Sequence, residues 1–321
     1  MHTIDDLSGA AIISRAGSTV FETASGVADA ELRAMCTTQT RFQLASVSKQ
    51  FAAVAVMRLV ETGSVELTTS IEPWLDVCPA AWRSITLHHL LSQTSGIAHW
   101  GTEKGFVPSV PMTTAERVAD FIQAPLLSEP GERWSYSSPG FIVIGQIVER
   151  ASGMPYADFL TQQIVGPLGL TSTTVGDPPD NVDRARGYRD GVKLPTWDLS
   201  TMAGTGDIWS TVGDLVRFAA GVHSGSLLTS ESKAALRTPY AAVPGDESPD
   251  DEWLRGIGYS YGHYLGFVGG HAAVFHPGDN PGYLAFTSWL PGTDTCIAVL
   301  VNDEALDLVA LIRQLVSIAD E

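Results

Sequence analysis

The spacing of apolar residues changes twice along this chain. AAIISRAG and STVFETASG (residues 10–26) read as two short strands around Gly17, which predicts a hairpin. From about Lys49 to Ser224 the pattern is mostly helical, with clear start and stop residues. Thr86 is placed to cap LHHLLSQ, which stops before Ser95-Gly96. Thr113 and Glu116 have capping-box spacing ahead of RVADFI. Pro139 takes a first helical position before FIVIGQIVERAS, which runs until Gly153, and Pro155 opens YADFLTQQIV. Ser210 or Thr211 caps VGDLVRFAAGVHSG. From Gly256 the strand pattern returns in GIGYSYGHYLGF, HAAVFH, YLAFTSWL and DTCIAVLVN, separated by turn pairs such as Pro-Gly. The tail DEALDLVALIRQLVSIAD reads as an amphipathic helix, with Leu306, Val309, Leu311, Ile312 and Leu315 near one face.

Strands at both ends with helices between them predict an α/β protein of the α+β kind. One antiparallel sheet is formed by both termini and flanked by helices, and an all-helical lobe is inserted in it. The expected division is a sheet domain of residues 1–48 and 225–321 and a mainly helical domain of residues 49–224. A chain of 321 residues has room for two such lobes around a shared cleft.

Charge and composition narrow the function. The formal net charge of −17 repels nucleic acid and anionic lipid, so neither is an expected partner. No run reaches the roughly eighteen apolar residues of a membrane helix. MHTIDDLSGAAIIS lacks a basic n-region and carries Asp5 and Asp6, which predicts a cytoplasmic chain, although a trimmed leader would leave the same appearance. Cys36, Cys78 and Cys296 are far apart and odd in number, so neither a disulfide framework nor a metal spacing is implied. The acidic stretch DESPDDE (residues 246–252) lacks the glycine-centred spacing of a calcium loop and is expected to be a solvated loop.

Candidate chemistry begins at FQLASVSKQFAAVAV (residues 42–56). A helix entered at Ser46 puts Lys49 one turn further on, on the same face. The helix that follows is apolar nearly all round, which marks it as central and buried. Desolvation pulls a lysine there below its ordinary pKa of ~10.4, so its amine can accept the serine proton near neutral pH. Backbone N–H groups at the helix start, that of Ser46 included, can face a developing oxyanion. The bland alternative makes Ser46 an N-cap and lets Lys49 snorkel to water.

The phrases around this pair decide between the two. RFQLASVSKQFAAVAVMRLVETGSVELTTSI followed by ITLHHLLSQTSGI resembles the opening of the serine β-lactamase, penicillin-binding-protein and esterase superfamily, in its class C β-lactamase and D-aminopeptidase branch. A counterpart of that branch's Tyr-x-Asn motif stands at Tyr136-Ser137-Ser138, in GERWSYSSPGFIVIGQIVERASG. A counterpart of its Lys/His-x-Gly motif stands at His276-Pro277-Gly278, in FHPGDNPGY. The resemblance spans roughly Gly9 to the C-terminus. It implies a β-lactamase/transpeptidase-like fold and an acylated serine at Ser46, with Lys49 as its base or proton relay. Tyr136 would share the proton work, helped to release its proton by the charge of Lys49. The oxyanion would lie between the N–H groups of Ser46 and Asp279, and Ser138, His276 and Gly278 would contact the substrate.

Two positions depart from the motifs. Ser138 replaces an asparagine and is short, and with Pro139 after it the expected use of its oxygen is to cap the next helix. His276 replaces lysine and so lowers the fixed positive charge available to a substrate carboxylate. The first departure puts efficient β-lactam hydrolysis in doubt, and the second is a histidine common to the peptidase and esterase members rather than the efficient lactamases.

Gly258-Tyr259-Ser260-Tyr261-Gly262 also fits the nucleophile elbow G-x-S-x-G, but no acid lies between Ser260 and the last histidine, His276, so the required order is unavailable and a strand is expected there. His88 and His89 point to opposite sides of a helix and make a poor metal site. The expectation is a serine hydrolase acting on a small-molecule ester, amide or peptide, without metal or cofactor. An acyltransferase or cyclase on the same scaffold, or a non-catalytic binding protein, are the alternatives.

Overall fold

The computed structural model of the protein describes residues 3–100, 112–179, 183–245 and 253–321. The acidic stretch 246–252 and all but the two ends of the loop 99–112 lie outside the described residues. In chain order, the N-terminal part supplies strands β1 (Gly9–Arg15), β2 (Ser18–Ser25) and β3 (Phe42–Gln43). Helices α1 (Ser48–Glu61), α2 (Leu87–Leu91), α3 (Thr114–Phe121), α4 (Ser138–Ser152) and α5 (Tyr156–Leu160) follow. Then come strands β4 (Thr174–Val175) and β5 (Ile208–Ser210), and helices α6 (Val212–His223) and α7 (Ser230–Ala235). The C-terminal part supplies β6 (Ala241–Ala242), β7 (Leu254–Tyr259), β8 (Tyr264–Val268), β9 (His271–Asn280), β10 (Tyr283–Leu290), β11 (Thr295–Val301) and helix α8 (Leu308–Ala319).

The main sheet has the order β6-β7-β8-β9-β10-β11-β1-β2, and every neighbouring pair is antiparallel. Both termini therefore share it, as the strand pattern predicts: Gly9 lies opposite Val301 and Arg15 opposite Thr295. The period of two along β1 and β11 sorts their side chains into two cores. Ala11, Ile13, Ile297, Val299 and Val301 pack with Leu311, Ile312, Leu315 and Val316 of α8. Ala10, Ile12, Ala298 and Leu300 join the core that holds α1, α4 and α6. Covered on both faces, these central strands carry no polar face, which is why their sequences read as nearly continuous apolar runs.

The stretch expected as one strand, GIGYSYGHYLGF, is instead the hairpin β7–β8, turning between Ser260 and His263. Gly262 has φ +71, and a Cβ there would lie 2.8 Å from the Lys49 carbonyl oxygen. A turn pressed this closely onto α1 needs glycine both for its left-handed backbone and for its missing side chain.

Helix ends follow their capping chemistry. Thr86 and Thr113 both form capping boxes, Thr211 accepts from Asp214 N–H, and Gly153 closes α4 in the left-handed conformation. The expected cap at Ser138 is corrected by one residue. Ser137 has the extended backbone of an N-cap, and its Oγ accepts from Gly140 N–H at 3.1 Å, so Ser138 is already helical and its hydroxyl is left for other work.

Helix α1 is buried from Ser48 to Met57. It is held against α6 by the stack of Phe51 on Phe218, with ring centroids 3.6 Å apart and planes 10° from parallel. Truncating Phe51 leaves a cavity beside the helix that carries the site. Phe51→Ala should lose about 3–5 kcal/mol of stability in urea unfolding with little change in m; a loss below about 1 kcal/mol would mean that this stack does not anchor α1.

Candidate active site

The turn that carries Ser46 is strained. β3 pairs with β5, and the chain then passes through Ala45 at φ +46, a left-handed value that costs a residue with a Cβ about 1–2 kcal/mol. A single 3-10 turn, Ala45–Val47, leads into α1. Ser46 sits on this turn, half-buried, and Lys49 lies one turn further on with Nζ 3.0 Å from Ser46 Oγ. The predicted meeting of hydroxyl and amine is present. Its alternative, a lysine that snorkels to water, is not, because Lys49 is 0% exposed.

Two other acceptors surround the amine: Ser138 Oγ at 3.1 Å and the Thr205 carbonyl oxygen at 3.2 Å. An ammonium has three N–H donors, one for each neighbour. A neutral amine has two and a lone pair. The Thr205 carbonyl can only accept, so it holds one N–H in place. With the second N–H on Ser138, the lone pair of the neutral amine is turned toward the hydroxyl of Ser46. Burial drives Lys49 well below the ordinary lysine range, partly opposed by the carboxyl of Asp207. The rings of Tyr136 and Phe141, with centroids 4.9 and 5.6 Å from Nζ, close off water.

Tyr136 stands just before α4, with its hydroxyl hydrogen-bonded to Ser46 and Ser138. Burial pushes the phenol upward, and those two bonds offset this only in part. Burial and these two hydroxyls, and not Lys49, set the direction of the phenol's shift. Burial likewise drives the lysine downward, and the phenol's hydrogen-bond partners are neutral hydroxyls. Tyr136 rests as a phenol, able to donate a proton.

The opposite wall is β9. Gly278 is pressed against the nucleophile turn: a Cβ there would lie 2.4 Å from the Leu44 carbonyl oxygen and 3.1 Å from Ser46 N. Asp279 follows it and lines the same cleft, exposed, its carboxyl raised by burial of its acidic end and by Glu304, with Arg189 opposing. His276 is 1% exposed. Its Nδ1–H donates to the Pro277 carbonyl at 2.6 Å, which fixes the tautomer, and Nε2 then accepts from Tyr259 Oη at 3.1 Å. Burial first, and Lys49 second, hold the ring well below the ordinary histidine range. His276 thus contributes a neutral wall whose polar atoms are already engaged.

Ser46, Tyr136, Ser138, His276, Gly278 and Asp279 line one cleft of about 350 Å³, with Lys49 beneath it. Ser260 lies elsewhere: its hydroxyl is buried and donates to the Leu236 carbonyl at 2.7 Å. His89 serves the cap of α2, and His88 bonds Tyr261 Oη at 2.9 Å.

Some cleft residues carry no signal that sequence reasoning caught. His99 is the clearest. Its Nδ1 accepts from Ser138 N–H at 3.2 Å, which leaves the ring proton on Nε2, and its ring meets that of Tyr136 edge-on. Although exposed at the rim, the ring is pushed down to about 4 by burial of its inner edge and by Lys49. Trp100, Trp197 and Met202 complete the apolar rim. Among the described residues that line the cleft there is no lysine or arginine, and both histidines are neutral. Among those described lining residues Asp279 is the one carboxyl.

The close approach at Gly278 is directly testable. Gly278→Ala forces β9 away from Ser46 N, so capture of Ser46 by a fluorophosphonate should slow by about tenfold or more while the circular dichroism spectrum is kept. An unchanged rate would show that the glycine's contact does not shape the nucleophile turn.

Comparison with known proteins places this geometry. The chain matches the Beta-lactamase family over residues 3–319. It is 27% identical over 304 residues to penicillin-binding protein 4* of Bacillus subtilis, covering 86% of this chain and 63% of that protein. To esterase EstB of Burkholderia gladioli it is 33% identical over 176 residues, covering 50% of this chain and 45% of the esterase. The chain thus spans less than two thirds of the length of either relative. Among solved structures, D-amino acid amidase from Ochrobactrum anthropi SV3 superposes with a TM-score of 0.84 at 26% identity, over 97% of this chain and 92% of the amidase.

Proposed function

The chain belongs to the Beta-lactamase family, and on that premise we propose that it is a serine hydrolase that acylates Ser46 with an ester or amide substrate. The observation that carries this reading is the buried Lys49 amine 3.0 Å from Ser46 Oγ. Lys49 takes the serine proton as Oγ attacks the carbonyl. The oxyanion develops between the N–H groups of Ser46 and Asp279, at the start of α1. Tyr136, bonded to Ser46 and resting as a phenol, delivers a proton to the leaving group and recovers one from Lys49 through the same hydroxyls. Water then attacks the acyl-enzyme by the reverse proton path.

The charge of the cleft selects among substrates. A carboxylate beside the scissile bond, as in a β-lactam, finds no lysine or arginine among the described lining residues and faces Asp279. Ser138 has its oxygen engaged by Lys49 and by Tyr136, so it does not offer a substrate amide what an asparagine would. Neutral or cationic esters and amides fit better, in keeping with the esterase and the amidase among the proteins it resembles. Asp279 also favours a second reading, in which an amine that arrives as a cation gives its proton to Lys49 and then takes the acyl group instead of water. Product analysis with an added amine separates the two.

Ser46→Ala should abolish turnover of p-nitrophenyl butyrate and leave the fold intact, whereas Ser260→Ala should keep the rate within a few-fold. Full activity in the Ser46 variant would end the hydrolase reading. On a panel of p-nitrophenyl esters, D-amino acid amides and nitrocefin, kcat/KM for the best neutral or cationic substrate should exceed that for nitrocefin by about a hundredfold, the order of one unsatisfied charge in a dry site. Equal or faster nitrocefin hydrolysis would overturn the substrate assignment alone.

A further inference from the structure

We propose that Asp207 is a positioning residue: its buried carboxylate sets the charge state of Lys49, and so the pH range over which Ser46 is activated. This rests on the reading of Lys49 as the proton acceptor.

Asp207 lies two residues beyond Thr205, whose carbonyl oxygen is 3.2 Å from Lys49 Nζ. The short segment that carries both is locked onto α4, since a Cβ at Gly204 would lie 2.4 Å from the Phe141 carbonyl oxygen and one at Gly145 would lie 3.1 Å from Ala203. The amine's anchor and the carboxylate are therefore held by one rigid turn. Asp207 is 2% exposed. Its carboxyl accepts from the N–H groups of Gly204 and of Asp207 itself, yet Oδ1 has no hydrogen-bond partner among the described residues. Shaping the turn needs only an accepting oxygen, which an asparagine would supply. A second carboxylate oxygen, buried without a donor, is a cost that shaping does not explain.

The other titratable groups that face Lys49 are neutral. Tyr136 from the approach to α4, His99 from the rim and His276 from β9 surround Lys49 without a fixed charge. Near Asp207 lies Tyr156 of α5, its buried hydroxyl also unpartnered, with Glu149 of α4 accepting from Tyr156 N–H. Asp207 is the acid that acts on Lys49: it raises the amine against desolvation, and Lys49 in turn lowers the carboxyl, which burial raises. The two groups hold their protons jointly.

The sign of the effect follows. The carboxyl is raised to about 7, and where it is ionised it favours the ammonium form. Removing it therefore leaves the amine neutral at lower pH, and activity, lost as pH falls through the lysine's titration, should persist further into acid. Asp207→Asn keeps the turn-accepting oxygen and deletes the charge. The acid limb of kcat/KM for p-nitrophenyl butyrate should move down by about one pH unit, roughly a tenfold gain relative to plateau on the wild-type limb. A uniform loss at every pH with the limb unmoved would reduce Asp207 to a structural residue and overturn the proposal. The wild-type chain supplies an independent reading should the variant fail to fold. The 13C resonances of Lys49 Cε and Asp207 Cγ should titrate in shared steps, and separate single-step titrations would sink the coupling. Shared titration without turnover of any ester would uphold Asp207 and instead defeat the hydrolase reading.

Discussion

An amine kept out of water at the foot of a helix is the constraint around which this molecule is arranged. Taking a lysine nitrogen from solvent disfavours its charged form, and each pKa unit of that preference corresponds to about 1.4 kcal/mol. The surroundings of Lys49 are built to keep water away. Gly262 lays the β7–β8 turn over its carbonyl, Gly278 brings β9 against the Ser46 turn, and Gly204 seats the Thr205 carbonyl on α4. At each position a side chain would hold two backbones apart and admit solvent. The left-handed Ala45 is a further cost at the same place, and α1, buried from Ser48 to Met57, is the rigid support against which it is held.

Within that enclosure the partners of the amine decide its use. Thr205 contributes a carbonyl that fixes orientation without adding a formal charge, while Ser138 and Ser46 contribute hydroxyls that can either donate or accept. A carboxylate in direct contact would have made an ion pair and kept the lysine an ammonium. Asp207 is instead engaged by Gly204 N–H and acts without a direct hydrogen bond to Nζ. Desolvation prevails over attraction, and the net direction for Lys49 is downward.

Much of this was legible from residue spacing. The period of two at both ends and of helices between them predicts the shared sheet, because burial on two faces demands long apolar runs. Thr86, Thr113 and Thr211 announce their helices through chemistry confined to a few neighbouring residues. Ser46 and Lys49 meet through a single helical turn, a local relation. The remainder depends on contacts far apart in sequence. His99 reaches Ser138 across 39 residues and Thr205 reaches Lys49 across 156, and neither stretch carries a pattern that points to its partner. The misplaced cap at Ser138 has a local cause: Ser137 and Ser138 are both serines, and only the backbone conformation shows which of them lies outside the helix. The reading of GYSYG as a strand failed because alternation of glycine and aromatics does not reveal that Gly262 takes a left-handed turn over α1.

The two departures from the family motifs belong to one electrostatic change. Where an asparagine and a lysine would stand, Ser138 and His276 direct their polar atoms into the protein: the serine to Lys49 and Tyr136, the histidine to Tyr259 and Pro277. His99 then accepts the backbone N–H of Ser138, which leaves its ring proton on Nε2, away from that bond. Among the described lining residues the cleft keeps a single carboxyl, that of Asp279, whose own backbone N–H is the proposed second oxyanion donor. A negative group next to an oxyanion site opposes the developing charge; the residue Asp279 is exposed, but its carboxyl end is partly buried and raised toward its neutral form, which weakens that opposition. The cleft thus sets a carboxyl at its mouth and a buried amine at its floor, and under the proposed mechanism these two ionisable groups act at separate depths.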